Sequence, residues 1–294
     1  RIDMMKIGVF GNDYQSDKLS QIRRLFNKLN DLEAEIYVKR EFYDFLTGKL
    51  SYQPLISGVM DDSRFDLDLA LSVGGDGTFL RTAGQINDQC IPVLGINTGR
   101  LGFLADVAGD QIEETLDELF RRKYQIEERM LLELQTQEPF FQNNNALNEI
   151  AVLKRDTSSM ITIHTYLNDD YLTSYQADGL IIATPTGSTA YSMSVNGPII
   201  LPQCDNIVLT PVAPHSLNVR PLVIPGSYRL TLNVESRTQT FLVSLDGRSE
   251  VLPVGMSLDI CKAPFTMRVV KRCNQTFYQI LREKLMWGVD RRVK

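Results

Sequence analysis

The sequence predicts an α/β domain on a doubly wound, mostly parallel sheet (Rossmann-like), then an all-β domain of sandwich type, with a C-terminal helix returning to the first domain. Three observations predict it. Over residues 4–123, short apolar runs alternate with stretches of helical periodicity, as in βαβ units. Over residues 124–273 the helical period nearly disappears, and strand-like runs are separated by Asn, Asp, Gly and Pro clusters, the pattern of two packed sheets. After Asn274, the spacing of Phe277, Ile280, Leu281 and Leu285 is helical again, which assigns residues 274–294 to the first domain.

The elements follow in order. Residues 6–10 are an apolar strand closed by Gly11-Asn12, and Leu19, Ile22, Leu25, Phe26 and Leu29 share one helical face. Residues 34–38 form a second strand, and 41–60 hold a helix and a loop. Residues 69–73 and 91–94 read as buried parallel strands, and 112–119 as a helix. In the second domain, strands are expected at 130–135, 149–153, 160–167, 180–183, 207–211, 229–234, 241–245 and 266–270.

Composition narrows the function classes. With 43% hydrophobic and 23% charged residues, the 294-residue chain can bury two ordinary cores. A net charge of −5 argues against non-specific nucleic-acid binding, which needs a basic footprint. No apolar run approaches a bilayer span, and the first residues lack the apolar core of a signal peptide, so no membrane partner is expected. Arg1, Ile2 and Asp3 read as upstream sequence. Cys90, Cys204, Cys261 and Cys273 form no C-x-x-C pair and have no histidine at metal spacing. They read as reduced, packed thiols; no protein-held metal is expected, and the location reads as cytoplasmic.

Chemistry concentrates first in Gly74-Gly75-Asp76-Gly77-Thr78, between a buried strand and a helix carrying Phe79, Leu80, Ala83 and Ile86. Glycines let backbone approach a ligand, and a helix start offers free N–H groups and a positive dipole end, so Gly74, Gly75, Gly77 and Thr78 are candidate phosphate binders. Asp76 repels an anion and makes sense as a base or as the orienter of an attacking hydroxyl. Arg81, one turn further on, meets a phosphate or forms a surface ion pair. The hydroxyl-rich turn Thr184-Pro185-Thr186-Gly187-Ser188-Thr189-Ala190-Tyr191-Ser192 follows another buried strand. Its hydroxyls and N–H groups suit sugar or phosphate oxygens, and Tyr191 offers a flat face for a base.

Together, residues 74–78, the stretch Gly95-Ile96-Asn97-Thr98-Gly99-Arg100-Leu101-Gly102-Phe103-Leu104, the pair Asn148-Glu149, the segment from Asp178-Gly179 to Tyr191, and Pro214-His215-Ser216-Leu217-Asn218-Val219-Arg220-Pro221-Leu222-Val223 resemble the NAD kinase family from about Lys6 to Trp287. The glycine turn alone is shared with diacylglycerol and sphingosine kinases. The Asn-Glu pair with the hydroxyl-rich turn is far more specific.

The resemblance implies transfer of the γ-phosphoryl group of ATP to the 2′-hydroxyl of the adenosine ribose of NAD, with Mg²⁺ on the ATP oxygens. It puts the general base on Asp76 and ribose hydroxyls on Asn148 and Glu149. It places the nicotinamide end near Asp178 and the adenine end along Thr189, Ala190, Tyr191, Ser192, Met193 and Ser194. Gly77 and Arg81 join the NAD-binding set, with Phe103 and Arg248 as further candidates, and a homodimer or homotetramer is implied. Two positions depart from the pattern. Gln176 and Ala177 precede Asp178 where many members have a basic residue, and Arg248 stands where Gln is common after the Asp-Gly pair; Arg248 reaches a phosphate or pairs with Glu250. His215 is read as a turn residue and His164 as a non-functional strand residue. The weighed alternatives are a lipid kinase sharing the glycine turn, which predicts an apolar acceptor surface, and a non-catalytic NAD(P) sensor, which has no need of Asp76.

Overall fold

A computed structural model describes residues 4–13, 18–99, 102–155 and 159–288. Arg1, Ile2 and Asp3, Arg100 and Leu101 of the 95–104 stretch, and residues 289–294 of the C-terminal segment lie outside the described residues. The chain divides into one unit of Arg1–Glu128 with Met267–Lys294 and a second of Arg129–Thr266.

The first unit is α/β. Its elements are β1 (Lys6–Gly11), α1 (Leu19–Asp31), β2 (Glu35–Lys39), α2 (Arg40–Asp44) running into a π turn at Phe45–Lys49, β3 (Gly58–Met60), β4 (Leu69–Gly74), α3 (Asp76–Ile86), β5 (Val93–Asn97), β6 (Val107–Ala108) and α4 (Ile112–Phe120). The strands run parallel in the order β5-β4-β1-β2-β3, with β6 on β5. β4 is buried along its whole length, as its unbroken apolar run requires of a strand covered on both faces. The helix predicted after Thr78 starts earlier, at Asp76, inside the glycine turn. Its buried face is Thr78, Phe79, Thr82, Ala83 and Ile86, and Leu80 lies off it. Burying side chains such as Phe79 and Ile86 is worth about 2 kcal/mol each, which pins the start of this helix to the sheet.

The second unit is a β-sandwich. Its elements are β7 (Tyr124–Gln135), which begins in the first unit, β8 (Asn145–Ala146), β9 (Glu149–Leu153), β10 (Ile161–Leu167), β11 (Asp170–Ala177), β12 (Gly179–Ala183), the short helix α5 (Tyr191–Ser194), β13 (Asn206–Val212), β14 (Leu222–Pro225), β15 (Leu230–Glu235), β16 (Thr240–Leu245), β17 (Arg248–Pro253) and β18 (Ser257–Arg272). One antiparallel sheet has the order β14-β13-β12-β9-β16-β17, and the other places β11, β10, β15 and β18 side by side. Between them lies an apolar core that includes Ile150, Val152, Leu180, Ile182, Leu232 and Phe241. β11, β14 and β17 were not expected from the sequence. β11 carries Tyr, Thr, Ser and Gln with little apolar alternation, and β17 is exposed at most of its positions.

The last turns of chain belong to the first unit. The end of β18 pairs in parallel with β5 at Val269 and Val93, and α6 (Phe277–Leu285) opens with a capping box between Thr276 and Gln279.

Candidate functional site

In the first unit, β4 pairs with β1 up to Gly11 and Val73, and with β5 up to Gly74 and Asn97. The glycine turn therefore leaves the sheet at the carboxyl edge, where the chain order 3-2-1-4-5 reverses between β1 and β4. That is the crevice in which doubly wound sheets bind ligands. Gly74 has φ +156°, and a Cβ there would lie 2.2 Å from Thr78 Oγ1, so both conformation and space exclude a side chain. Gly75 is the N-cap of α3, and the Thr78 and Phe79 N–H groups both donate to its carbonyl. Asn12 Nδ2 donates to Thr78 Oγ1 at 2.6 Å, joining the end of β1 to the first turn of α3. Beside this junction a cavity of about 350 Å³ is lined by Asn12, Lys39, Thr78, Arg81, Thr82 and Gln85, among others. Arg81 and Lys39 thus share this space with the carboxylates of Asp13 and Glu41.

Asp76 is held from three sides by one loop. Its Oδ2 accepts the Phe103 N–H at 2.9 Å, and its Oδ1 accepts those of Leu104 and Ala105 at 3.1 and 2.9 Å. The fit is tight: a Cβ on Gly102 would lie 1.9 Å from Asp76 Oδ1. Lys284 of α6 adds its Nζ at 3.5 Å from Oδ2 and lies 4.5 Å from the centre of the Phe103 ring. Phe103 serves Asp76 through its backbone, while its ring, buried, carries the lysine. Lys284 was missed in the sequence, where nothing marks one lysine of a C-terminal helix as a neighbour of a residue 208 positions away.

The second unit brings together the Asn148-Glu149 pair and the hydroxyl-rich turn. The Thr184 N–H donates to the Asn148 carbonyl, Thr184 Oγ1 donates to the Leu147 carbonyl at 2.6 Å, and a Cβ on Gly187 would lie 2.0 Å from the Asn148 carbonyl oxygen. The Tyr191 N–H reaches the Glu149 carboxyl. Asn148 is 7% exposed, yet its Oδ1 has no hydrogen-bond partner, and neither has Glu149 Oε2. Burial, reinforced by the charge of Asp246, raises the Glu149 pKa to about 8, against the opposing Tyr191 N–H. Two adjacent buried acceptor oxygens therefore lack a donor, and a hydroxyl donor would satisfy either of them.

The remaining expected residues divide. The Tyr191 ring is exposed, and Ala190, Thr189 and Met193 are half-buried. Thr189 Oγ1 and Ser194 Oγ donate to the Thr186 and Tyr191 carbonyls. Ser192 is fully buried with its hydroxyl on Thr210, so it supports the turn from within. Asp178 pairs with Lys154 at 2.7 Å, a cation supplied from the end of β9 although Gln176 and Ala177 supply none. Arg248 is directed elsewhere than expected: its guanidinium donates to the carbonyls of Leu245, Asn143 and Asn145 rather than to Glu250. His164 bridges Ser174 and Glu235 across three strands, and the His215 N–H donates to the Gln176 carbonyl.

Comparison with known proteins adds the following. The model of the ATP-NAD kinase N-terminal domain matches residues 7–124, and that of the ATP-NAD kinase C-terminal domain matches residues 147–272. The chain is 53% identical over 290 residues to the NAD kinase of Bacteroides fragilis, covering 98% of this chain and 100% of the relative. It is 48% identical over 285 residues to that of Porphyromonas gingivalis, covering 97% and 99%. Among solved structures it is similar to an NAD kinase from Archaeoglobus fulgidus in complex with ATP, with TM-score 0.76, 26% identity and 96% and 99% coverage. It shares its fold with yeast NADH kinase complexed with NADH, at TM-score 0.86, 23% identity and 99% and 90% coverage.

Proposed function

Since the chain belongs to the NAD kinase family, we propose that its two units divide the reaction between donor chemistry and acceptor recognition. The enzyme transfers the γ-phosphoryl group of ATP to the 2′-hydroxyl of the adenosine ribose of NAD, giving NADP. The observation that carries the division is the pair of orphaned buried acceptors, Asn148 Oδ1 and Glu149 Oε2. Ribose hydroxyls are the donors they lack. Thr189, Ala190, Tyr191, Met193 and Ser194 are assigned to the adenine end, with Ser192 holding their turn, and Asp178 to the nicotinamide end.

In the first unit, Gly74, Gly75, Gly77, Thr78 and Arg81 are assigned to the phosphates. The helix start offers N–H groups to anionic oxygens, and Arg81 lines the cavity beside it together with Lys39, Asp13 and Glu41. Asp76 is assigned to the 2′-hydroxyl. Three backbone N–H groups fix its carboxylate, so a hydroxyl that donates to it is oriented along one direction. The hydroxyl oxygen attacks the γ-phosphorus, the bond to the β,γ-bridging oxygen breaks, ADP leaves, and the hydroxyl proton passes to Asp76. A loose transition state asks for little proton transfer before the new bond forms, so orientation is the larger part of this role.

Among the described residues, no three His, Cys, Asp or Glu side chains converge on a metal position. Mg²⁺ is assigned to the ATP phosphates, where it would neutralise phosphate charge. A cytoplasmic location and a homodimer or homotetramer complete the proposal. Among the described residues no helix is long and apolar enough to cross a membrane, and the assembly is read by light scattering.

The test is incubation with ATP, Mg²⁺ and NAD, with NADP read by an NADP-specific dehydrogenase. NADP formation is expected, and binding of NAD without NADP formation overturns the assignment. Repeating the assay with NADH and with polyphosphate fixes the acceptor and donor range.

A further inference from the structure

The turn between β16 and β17 does not belong to the residues assigned to NAD, yet it holds the loop that does. Asp246 and Gly247 are its two central residues, flanked by the paired Leu245 and Arg248, with φ of +49° and +84°, the left-handed pair that such a two-residue hairpin demands. Asp246 points its carboxylate away from its own hairpin. Oδ2 accepts the Leu147 N–H at 2.7 Å, and Oδ1 accepts the N–H groups of Asn148 and Glu149 at 2.8 and 3.1 Å. The Asp246 N–H returns a bond to the Glu149 carbonyl. From the same turn, Arg248 donates to the Asn143 and Asn145 carbonyls, at 2.6 and 2.5 Å.

We infer that the Asp246–Arg248 turn is the positioning element of the acceptor site: Asp246 and Arg248 set the backbone of residues 143–149 so that Asn148 and Glu149 face the ribose of NAD. The inference rests on the assignment of Asn148 and Glu149 to NAD. Two features separate this from ordinary hairpin packing. Three consecutive N–H groups aim at one carboxylate, so the loop has a single low-energy shape while that charge is present. The side chains rising from that loop end in the two unsatisfied oxygens, and Asp246 binds three consecutive N–H groups of its backbone while Thr184 meets the Leu147 and Asn148 carbonyls from the other side. Asp76 does the same for residues 103–105, so each unit of the chain carries an Asp-Gly turn whose carboxylate gathers three successive amides.

The test is steady-state kinetics of Asp246→Asn and Arg248→Gln in the full-length enzyme, with KM measured separately for NAD and ATP. Asparagine keeps the volume, but its Nδ2 turns a donor toward the loop N–H groups. KM for NAD is expected to rise about tenfold or more in Asp246→Asn and about threefold in Arg248→Gln, with KM for ATP within twofold of wild type. In an Asn148→Ala/Glu149→Ala background, Asp246→Asn should add less than twofold, because it acts through residues already removed. Equal changes in both KM values, or a full additive effect in that background, overturns the inference. If Asp246→Asn does not fold, Arg248→Gln alone decides by the same KM comparison. Wild-type enzyme that forms no NADP fails the underlying assignment instead, a result visible before any variant is made.

Discussion

Lys284 Nζ lies 3.5 Å from Asp76 Oδ2, so α6 places a cation on the carboxylate that opens α3. Both side chains are about one-third exposed, and an ion pair of that kind adds about 0.5 kcal/mol to stability. Its weight falls on the reaction, since the same ammonium sits beside the oxygen assigned to the attacking hydroxyl. Lys284→Met is expected to lower kcat about tenfold, with KM for NAD within threefold and a melting temperature within about 2 °C of wild type. Lys284→Arg should recover most of the loss. Unchanged kcat in Lys284→Met rules the cation out of the chemistry.

Asp76→Asn is the direct test of the acid itself. An amide retains one acceptor oxygen for the Leu104 and Ala105 N–H groups, but sets an NH₂ against the Phe103 N–H and Lys284. Turnover should fall by about 10² or more, with NAD affinity, measured by calorimetry, changed less than about fivefold. Near-normal turnover would remove Asp76 from the proton path.

Gly102→Ala probes the loop that holds the acid. Its Cβ would lie 1.9 Å from Asp76 Oδ1, so either the carboxylate or the 102–105 loop moves and the three amide bonds are lost. An activity loss of the same order as Asp76→Asn is expected, with destabilisation of about 1–3 kcal/mol by denaturant unfolding. An Ala variant with wild-type kinetics contradicts the described loop geometry.

Glu149 couples function to pH. Its folded pKa of about 8 lies above the ordinary carboxylate value of 4.5, so the folded protein binds more protons than the unfolded chain between those values. Stability contributed at this position therefore falls as pH rises from 4.5 to 8, by an amount on the order of a few kcal/mol. Glu149→Gln should raise the melting temperature at pH 9 and leave it nearly unchanged at pH 4.5. Ribose hydroxyls donating to the carboxylate favour its charged form, so NAD binding at pH 7 should release a proton. Calorimetry in buffers of different ionisation enthalpy reads that release, and Glu149→Gln should abolish it. A melting temperature that rises equally at both pH values would disprove the buried-acid origin of the effect.

The sequence by itself determined the two kinds of layer, because periodicity is a local record of which face meets a core. The fully buried β4, the helical face of α1 and the return to a helix at α6 were all readable in spacing. It also marked the glycine turn, the Asn148-Glu149 pair and the hydroxyl-rich turn, since each needs particular residue types in consecutive positions. Tertiary structure alone decided what those residues touch. Asp76 meets residues 103–105 and Lys284, Asn148 and Glu149 are shaped by Asp246, and Arg248 spends its donors on backbone carbonyls. These are hydrogen bonds between groups far apart in sequence, and a hydrogen bond leaves no periodic trace. An aspartate before a glycine reads as a turn residue in any sequence; only the fold shows that two of them carry the loops on which the chemistry depends.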